Sequence, residues 1–262
     1  MTSADQSGLS DRVERERSRY DEGLDRGRYV DLLVSHAGHL HGLSRRRIAR
    51  EVMTRKPIGR ALELGCSHWY VWLEREGVHV DEIVCINISE RERDWGVRRS
   101  ADTRLKPTFL LMDAHRLAFP DAHFDVVFGA GILHHLELEV ALGEVARVLR
   151  PDGEILFSEP LDNNPVGRLV RRLTPAARTE DETPFRHAHL ATLRRHFACE
   201  FHYEQLLSVP AGVLSRALFR RPDNPLTRAA FRCDELVQEH LPGLGPYFRK
   251  VTIVGRKPAA AA

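Results

Sequence analysis

Lysine is scarce in this chain. Only Lys56, Lys106, Lys250 and Lys257 stand among 39 basic residues. Arginine is spread throughout, and the short runs Arg45–Arg47, Arg171–Arg172 and Arg220–Arg221 read as solvated faces, not as a stripe that tracks phosphates. A formal charge of +2 over 262 residues calls for neither nucleic acid nor an anionic membrane as partner. Cysteine is scarce too. Cys66, Cys85, Cys199 and Cys233 have no paired spacing, which excludes a zinc knuckle or disulfide framework and leaves no metal set. Free thiols suit a reducing compartment. No apolar run is long enough to span a bilayer, and the first residues lack a basic-then-apolar leader. The expectation is a cytoplasmic protein whose ends, up to about Ser10 and from Pro258, are frayed.

What remains is an alternation of short apolar runs and amphipathic stretches. Charged residues from about Asp11 to Arg28 suggest a surface helix. Tyr29 to Leu43 continues in helical pattern, and Ser44 is placed to cap a further helix through Met53. Strands are expected at Ala61–Leu64, Val80–Ile88, Pro107–Met112, Phe124–Phe128 and Glu154–Ser158. Helices separate them, and the one over Glu139–Leu149 is stopped by Pro151-Asp-Gly153. Beyond Pro160 the rhythm breaks. A helix at His187–His196, a strand at Cys199–Val209, helical sequence over Ala211–Leu241 and a last strand at Phe248–Val254 are expected. This pattern predicts an α/β fold: a Rossmann-like, seven-stranded, mostly parallel sheet with N-terminal helices and helical cap insertions. The domain reading is an N-terminal helical cap over 1–55, a Rossmann-like core over 56–160, and a substrate cap with C-terminal strands over 161–262.

The most informative stretch is Arg60-Ala-Leu-Glu-Leu-Gly-Cys-Ser-His-Trp-Tyr70. A carboxylate, Glu63, sits inside an apolar strand, where an ionised group is costly without a polar partner. The position makes sense at the carboxyl edge of a parallel sheet, where open α/β folds bind ligands. Gly65 permits the sharp turn that follows. Two more polar residues end successive strands, Asn87 and Asp113. Asn87 follows Gly65 by about twenty residues, the spacing at which nucleoside-binding folds place a ribose partner. Asp113 suits an exocyclic amine, and Ile88 and Leu111 offer apolar faces to a ring.

The ordered segments Leu62-Glu-Leu-Gly-Cys66, Ile86-Asn-Ile-Ser-Glu90, Met112-Asp-Ala114, Phe119-Pro-Asp-Ala-His-Phe-Asp-Val-Val127, Leu133-His-His-Leu136 and Glu144-Val-Ala-Arg-Val-Leu-Arg-Pro-Asp-Gly153 resemble class I S-adenosylmethionine-dependent methyltransferases. The likeness is to the small-molecule branch of ubiquinone and menaquinone type. The resemblance implies S-adenosyl-L-methionine as cofactor. Glu63 would organise contacts to its methionine part, and Gly65 and Cys66 would pass their backbone beside it. Asn87 would meet the ribose, Ile88 the adenine face, Asp113 the adenine amine and the Ala114 N–H a ring nitrogen. The backbone at Gly129 or Ala130 would receive the ammonium, and Tyr20 or Tyr29 would close over the carboxylate. Ser67 and Trp69 depart from the small residues usual in the glycine-rich turn, and Asn87 from the usual acid.

His134, His135 and Glu159 are the catalytic candidates, because an imidazole near the transferred group can take a proton from an acceptor. Against this stands a structural role for the His-His pair at a helix start, and for Glu159 as a cap of the loop after the fifth strand. Arg178, Glu180, Asp181 and Glu182 read as a polar lid or as a solvated loop. His187 and His189 read as pocket lining or as packing. Phe185, Phe197, Leu214, Leu218 and Phe219 are candidates for an apolar acceptor pocket, or for core or dimer packing. The function expected is methyl transfer to a small hydrophobic or aromatic metabolite of natural-product type, with a homodimer as one option for assembly. The alternative is a methyltransferase-fold protein without methyl transfer, either a cofactor-less partner protein or a cyclase or isomerase using the same pocket.

Overall fold

The structure is a computed structural model that describes residues 3–22, 28–66, 69–173 and 184–258. Two helices come first, α1 (Ser3–Glu22) and α2 (Arg28–Thr54). The core follows as β1 (Ile58–Leu64), α3 (Trp69–Arg75), β2 (Val80–Asn87), α4 (Glu90–Arg99), β3 (Thr108–Leu111), β4 (Phe124–Ala130), α5 (Leu138–Val148) and β5 (Leu149–Pro160). The remainder is α6 (Pro165–Leu173), α7 (His187–His196), β6 (Ala198–Glu204), α8 (Ser208–Leu218), α9 (Pro225–His240) and β7 (Lys250–Arg256).

The seven strands form one sheet in the order β3-β2-β1-β4-β5-β7-β6. The pairs among β1 to β5 are parallel, and β7 runs antiparallel between β5 and β6. The chain builds outward from β1 to β3, then crosses back to lay β4 on the other side of β1. That reversal makes the carboxyl ends of β1 and β4 the topological switch point, the place where such sheets bind ligands. Strands buried on both faces read as continuous apolar runs, and Ala61, Leu62 and Leu64 are indeed fully buried. One face packs Leu62, Leu64, Val127, Ile155 and Phe157 with α5 and α7 side chains such as Leu142 and Leu190. The other packs Ala61, Cys85, Val126 and Phe128 with Val52 and Met53 of α2 and Leu73 of α3.

Several elements differ from the sequence reading. Residues from Ser3 are helical, not frayed. Ser44 does not cap a helix: α2 runs unbroken through it to Thr54, because no residue from Tyr29 to Thr54 is a proline that would remove a backbone donor. The fifth strand starts before Glu154: β5 begins at Leu149 and absorbs Pro151-Asp-Gly153 as an irregularity, with Leu149 opposite Phe124 and Glu154 opposite Val126. Asp152 takes a left-handed φ of 60° there. The strand expected at Cys199–Val209 ends at Glu204, and α8 starts at Ser208. Phe185 and Phe197 are central core residues, 1% exposed, and so do not line a pocket.

Gly129 near the end of β4 shows how tightly the switch point is packed. A Cβ there would sit 2.9 Å from the Leu64 carbonyl oxygen and 3.0 Å from the Ile132 side chain. Backbone of a neighbouring strand cannot yield cheaply. Gly129→Ala is therefore expected to destabilise the fold by about 1–3 kcal/mol through overpacking. A thermal melt checks this as a lowering of Tm by about 3–10 °C.

Candidate active site

β1 ends in a turn that only a few residue types tolerate. Gly65 has φ 86° and Cys66 has φ 51°. A Cβ on Gly65 would also come within 3.2 Å of Ile132. The turn is held from β2, because the Gly65 N–H donates to the Ile86 carbonyl at 2.8 Å. Glu63 lies opposite Cys85 in the β1–β2 register and is fully buried. The Cys85 thiol donates to its Oε2 at 3.4 Å. Burial, and after it the Glu63 carboxylate, push the thiols of Cys66 and Cys85 well up. Both stay protonated, and neither is a nucleophile.

Asn87 is 22 residues beyond Gly65. Its Nδ2 donates to the Gly65 carbonyl at 2.9 Å, and its Oδ1 accepts from the Ser89 N–H at 2.9 Å. Its side chain thus braces the turn after β1 and the entry to α4. Ser89 caps α4, its Oγ accepting from the Glu92 N–H. Ile88 lies between them.

Asp113 follows β3. Its Oδ1 accepts from the His115 N–H at 2.9 Å and from His115 Nδ1 at 2.6 Å, while His115 Nε2 accepts from the Glu137 N–H at 2.8 Å. Burial alone would raise the Asp113 pKa, but the hydrogen bonds from His115 outweigh it and hold the group below its usual range. The carboxylate is therefore ionised at neutral pH, a third of its side chain is exposed, and Oδ2 carries none of these bonds. The buried Ala114 sits between Asp113 and His115.

The fourth strand tip carries the densest chemistry. Gly131, at φ 64°, donates its N–H to the Ser158 carbonyl at 2.9 Å. A single 3-10 turn, Leu133–His135, follows. Glu159, fully buried at the end of β5, holds that turn. Its Oε1 accepts from the N–H groups of Ile132 and Leu133 at 3.1 and 3.0 Å, and its Oε2 lies 2.7 Å from His134 Nδ1. A carboxylate accepts only, so the proton of the neutral ring is on Nδ1 and Nε2 is the basic nitrogen. His135 is oriented differently. Tyr20 of α1 places its hydroxyl 3.1 Å from His135 Nε2, and Glu16, also buried, lies 3.2 Å from Nδ1. The two imidazoles are 4.1 Å apart between centroids.

Sequence reasoning named the strand-tip residues that gather here: Glu63, Gly65, Cys66, Asn87, Ile88, Asp113, Ala114, Gly129, His134, His135 and Glu159. It missed Glu16, Asp21 and His115. An aspartate and a histidine two apart, as at Asp113 and His115, was the one signal available for the last. Tyr20 meets His135, while the side chains of Tyr29 and Trp69 lie outside the described residues, as do Ser67, Arg178, Glu180, Asp181 and Glu182. His187 is exposed, and His189 accepts from the Arg186 N–H at the start of α7. Leu214, Leu218 and Phe219 are exposed on and just beyond α8. Among the described residues no group of histidine, cysteine and carboxylate side chains is arranged to hold a metal ion, and no helix is long and apolar enough to cross a membrane.

Comparison with known proteins agrees with the geometry. Residues 62–157 match the family model described as a methyltransferase domain. The chain is 31% identical over 103 residues to the 27-O-demethylrifamycin SV methyltransferase of Amycolatopsis mediterranei, covering 38% of each chain. It is 30% identical over 122 residues to the demethylmenaquinone methyltransferase of Staphylococcus saprophyticus, covering 45% of this chain and 52% of that one. These alignments span about half or less of the curated relatives. Among solved structures, the N-methyltransferase NodS from Bradyrhizobium japonicum WM9, in complex with S-adenosyl-l-homocysteine, superposes with a TM-score of 0.53 at 14% identity, over 84% of this chain and 88% of that one. Residues 62–157 thus match a methyltransferase domain, carried on a Rossmann-like, seven-stranded sheet.

Proposed function

We propose that this protein transfers a methyl group from S-adenosyl-L-methionine to a hydroxyl or acidic carbon of a small, hydrophobic or aromatic metabolite of natural-product type. The observation that carries the reading is the buried Glu159–His134 pair at the tips of β5 and β4, next to the switch point of the sheet, whose strand-tip residues suit an adenosyl group.

The residues present fit that group. Gly65 turns the chain sharply at the first strand tip, at φ 86°, a backbone conformation that glycine adopts without strain. Glu63 and Asp113 carry the carboxyl groups at the first and third strand tips, suited to an ammonium and an exocyclic amine. The backbone at Cys66, Ala114 and Gly129 and the side chain of Ile88 complete the cradle. Bound there, the cofactor supplies an electrophilic methyl on a sulfonium sulfur. The chain's own part is to align the acceptor, exclude water and manage one proton. Glu159 fixes the His134 ring by accepting from Nδ1, so Nε2 would be placed to take the proton of an acceptor hydroxyl. Glu159 would then stabilise the imidazolium. His135, held by Tyr20 and Glu16, positions α1 over the switch point. The relatives' names include O-methyltransferases and quinone-pathway methyltransferases, which supports an oxygen or carbon acceptor.

Incubation with S-adenosyl-L-methionine and a panel of hydroxylated aromatic compounds and quinols tests this. Products heavier by one methyl group support it. Products of unchanged mass would point instead to a cyclase or isomerase. Calorimetric titration with S-adenosyl-L-homocysteine tests the strand tips separately. Glu63→Gln is expected to weaken that ligand by about 10–100-fold, the worth of a hydrogen bond to a charged group. An unchanged Kd would remove Glu63 from the site.

A further inference from the structure

The ribose hydroxyls of an adenosyl ligand need an acceptor, and nucleoside-binding α/β folds supply a carboxylate about twenty residues beyond the glycine turn. Here that position is Asn87, whose side-chain donor and acceptor are both engaged within the protein, on Gly65 and Ser89. Another carboxylate comes to the same place from a distant part of the chain. Near the end of α1, Asp21 Oδ1 accepts from Ser89 Oγ at 2.5 Å and from the Arg91 N–H at 3.4 Å. Ser89 is two residues beyond Asn87 and is itself bonded to the Asn87 amide. Both Asp21 contacts fall on one oxygen. Among the described residues Oδ2 takes none.

Asp21 also lines a cleft of about 580 Å³, together with Arg17, Ser18 and Glu22 of α1, Glu90 of α4 and Leu111 of β3. Leu111 is the register partner of Asn87, so the cleft opens at the tips of β2 and β3. Leu111 is 44% exposed, an apolar surface left uncovered beside a carboxylate. A nucleoside presents that combination in complement, a flat apolar base next to a diol.

We propose that Asp21, delivered by α1, is the carboxylate that accepts from the ribose hydroxyls of the adenosyl group, and that Asn87 serves to brace the Gly65 turn. The inference rests on the cofactor reading above. It makes α1 part of the ligand site and couples its docking on Ser89 to ligand binding.

Calorimetric titration of wild type, Asp21→Ala and Asp21→Asn with S-adenosyl-L-homocysteine and with its 2′-deoxy and 3′-deoxy analogues tests it. Wild type is expected to favour the full ribose by about 10–100-fold. Asp21→Ala is expected to erase that preference while binding the deoxy analogues within about twofold of wild type. Asp21→Asn keeps an oxygen for Ser89, so its unligated melting temperature guards against simple loss of α1 packing, and its preference is expected to fall as well. Equal weakening of all three ligands in both variants, or an unchanged preference, would overturn the proposal while leaving the cofactor reading intact. Failure of wild type to bind any of the three would overturn both.

Discussion

His134→Gln is expected to lower turnover of the best hydroxyl acceptor from the panel by about 10²–10⁴-fold, the usual worth of a positioned general base. The Kd for S-adenosyl-L-homocysteine should stay within about twofold, because the lost interaction is one realised as the proton moves. The physical reason is the fixed ring. Glu159 holds Nδ1 at 2.7 Å and simultaneously pins the backbone of Ile132 and Leu133. Gln at 134 has no basic nitrogen to offer the acceptor. Glu159→Gln should reproduce much of the loss in turnover, because its amide nitrogen is a donor facing Nδ1 and favours the opposite tautomer. Rapid-quench turnover with saturating cofactor checks both. Turnover of His134→Gln within a few-fold of wild type would reduce the pair to a structural brace of the 3-10 turn.

The largest effect on stability is expected far from the switch point. α2, α8 and α9 pack together around buried polar groups. Asp234 of α9 is 1% exposed. Its Oδ2 accepts from the Leu206 and Ser208 N–H groups at 3.1 and 3.2 Å, its Oδ1 accepts from the Leu207 N–H at 2.7 Å, and His41 Nε2 of α2 lies 3.1 Å from Oδ2. A carboxylate at the first turn of α8 also meets the positive end of that helix. Asp234→Ala strands three backbone donors and His41 in the interior. The expected cost is about 3–5 kcal/mol, seen as a fall in Tm of about 6–20 °C.

The pH dependence of that contribution has a definite sign. Burial raises the Asp234 pKa, but the hydrogen bonds from His41, Ser208 and the Leu207 N–H outweigh it, so the folded value is lowered. A group lowered on folding stabilises the protein fully above its unfolded value, near 4 for aspartate. The stabilisation is lost as pH falls through the folded value. Wild type should therefore lose stability on acidification below about pH 4 more steeply than Asp234→Asn. Urea melts across that range check it. Parallel curves for the two proteins would show that Asp234 contributes no linkage.

These two sites differ in how far the sequence discloses them. Glu63, Gly65, Asn87, Asp113 and the His134–His135 pair can be read in advance, because each is a polar interruption at the end of an apolar strand. In a parallel sheet those ends converge whatever the loops do. Glu159 is legible for the same reason. The partner of each is less so. Nothing local says that Glu159 grips His134 in place of solvent, or that Asn87 turns its amide inward to Gly65.

The contributions of α1 and the helical bundle are not legible at all. Asp21 meets Ser89 across 68 residues, and His41 meets Asp234 across 193. A charged helix such as α1 reads as a surface element, because periodicity reports which face is apolar and not which carboxylate is buried. Ser44 shows the converse. A good capping residue caps nothing when the helix continues through it, as α2 does at Ser44, since tertiary packing outweighs local preference. Leu214, Leu218 and Phe219 were apolar enough for a pocket, yet α8 presents them outward because its buried side is built from Ser208, Val209, Gly212 and Ser215. Gly212 marks the reason, since a Cβ there would fall 2.5 Å from Ala37 of α2.

The central claim is that the tips of β1 to β4 together hold one adenosyl group. Amide hydrogen exchange of the full chain, with and without saturating S-adenosyl-L-homocysteine, tests it most directly. Slowed exchange confined to the Gly65 turn, Asn87–Ser89, Asp113–His115 and Gly129–Gly131 is the predicted result, whereas ligand-dependent protection that bypasses these four tips would contradict it.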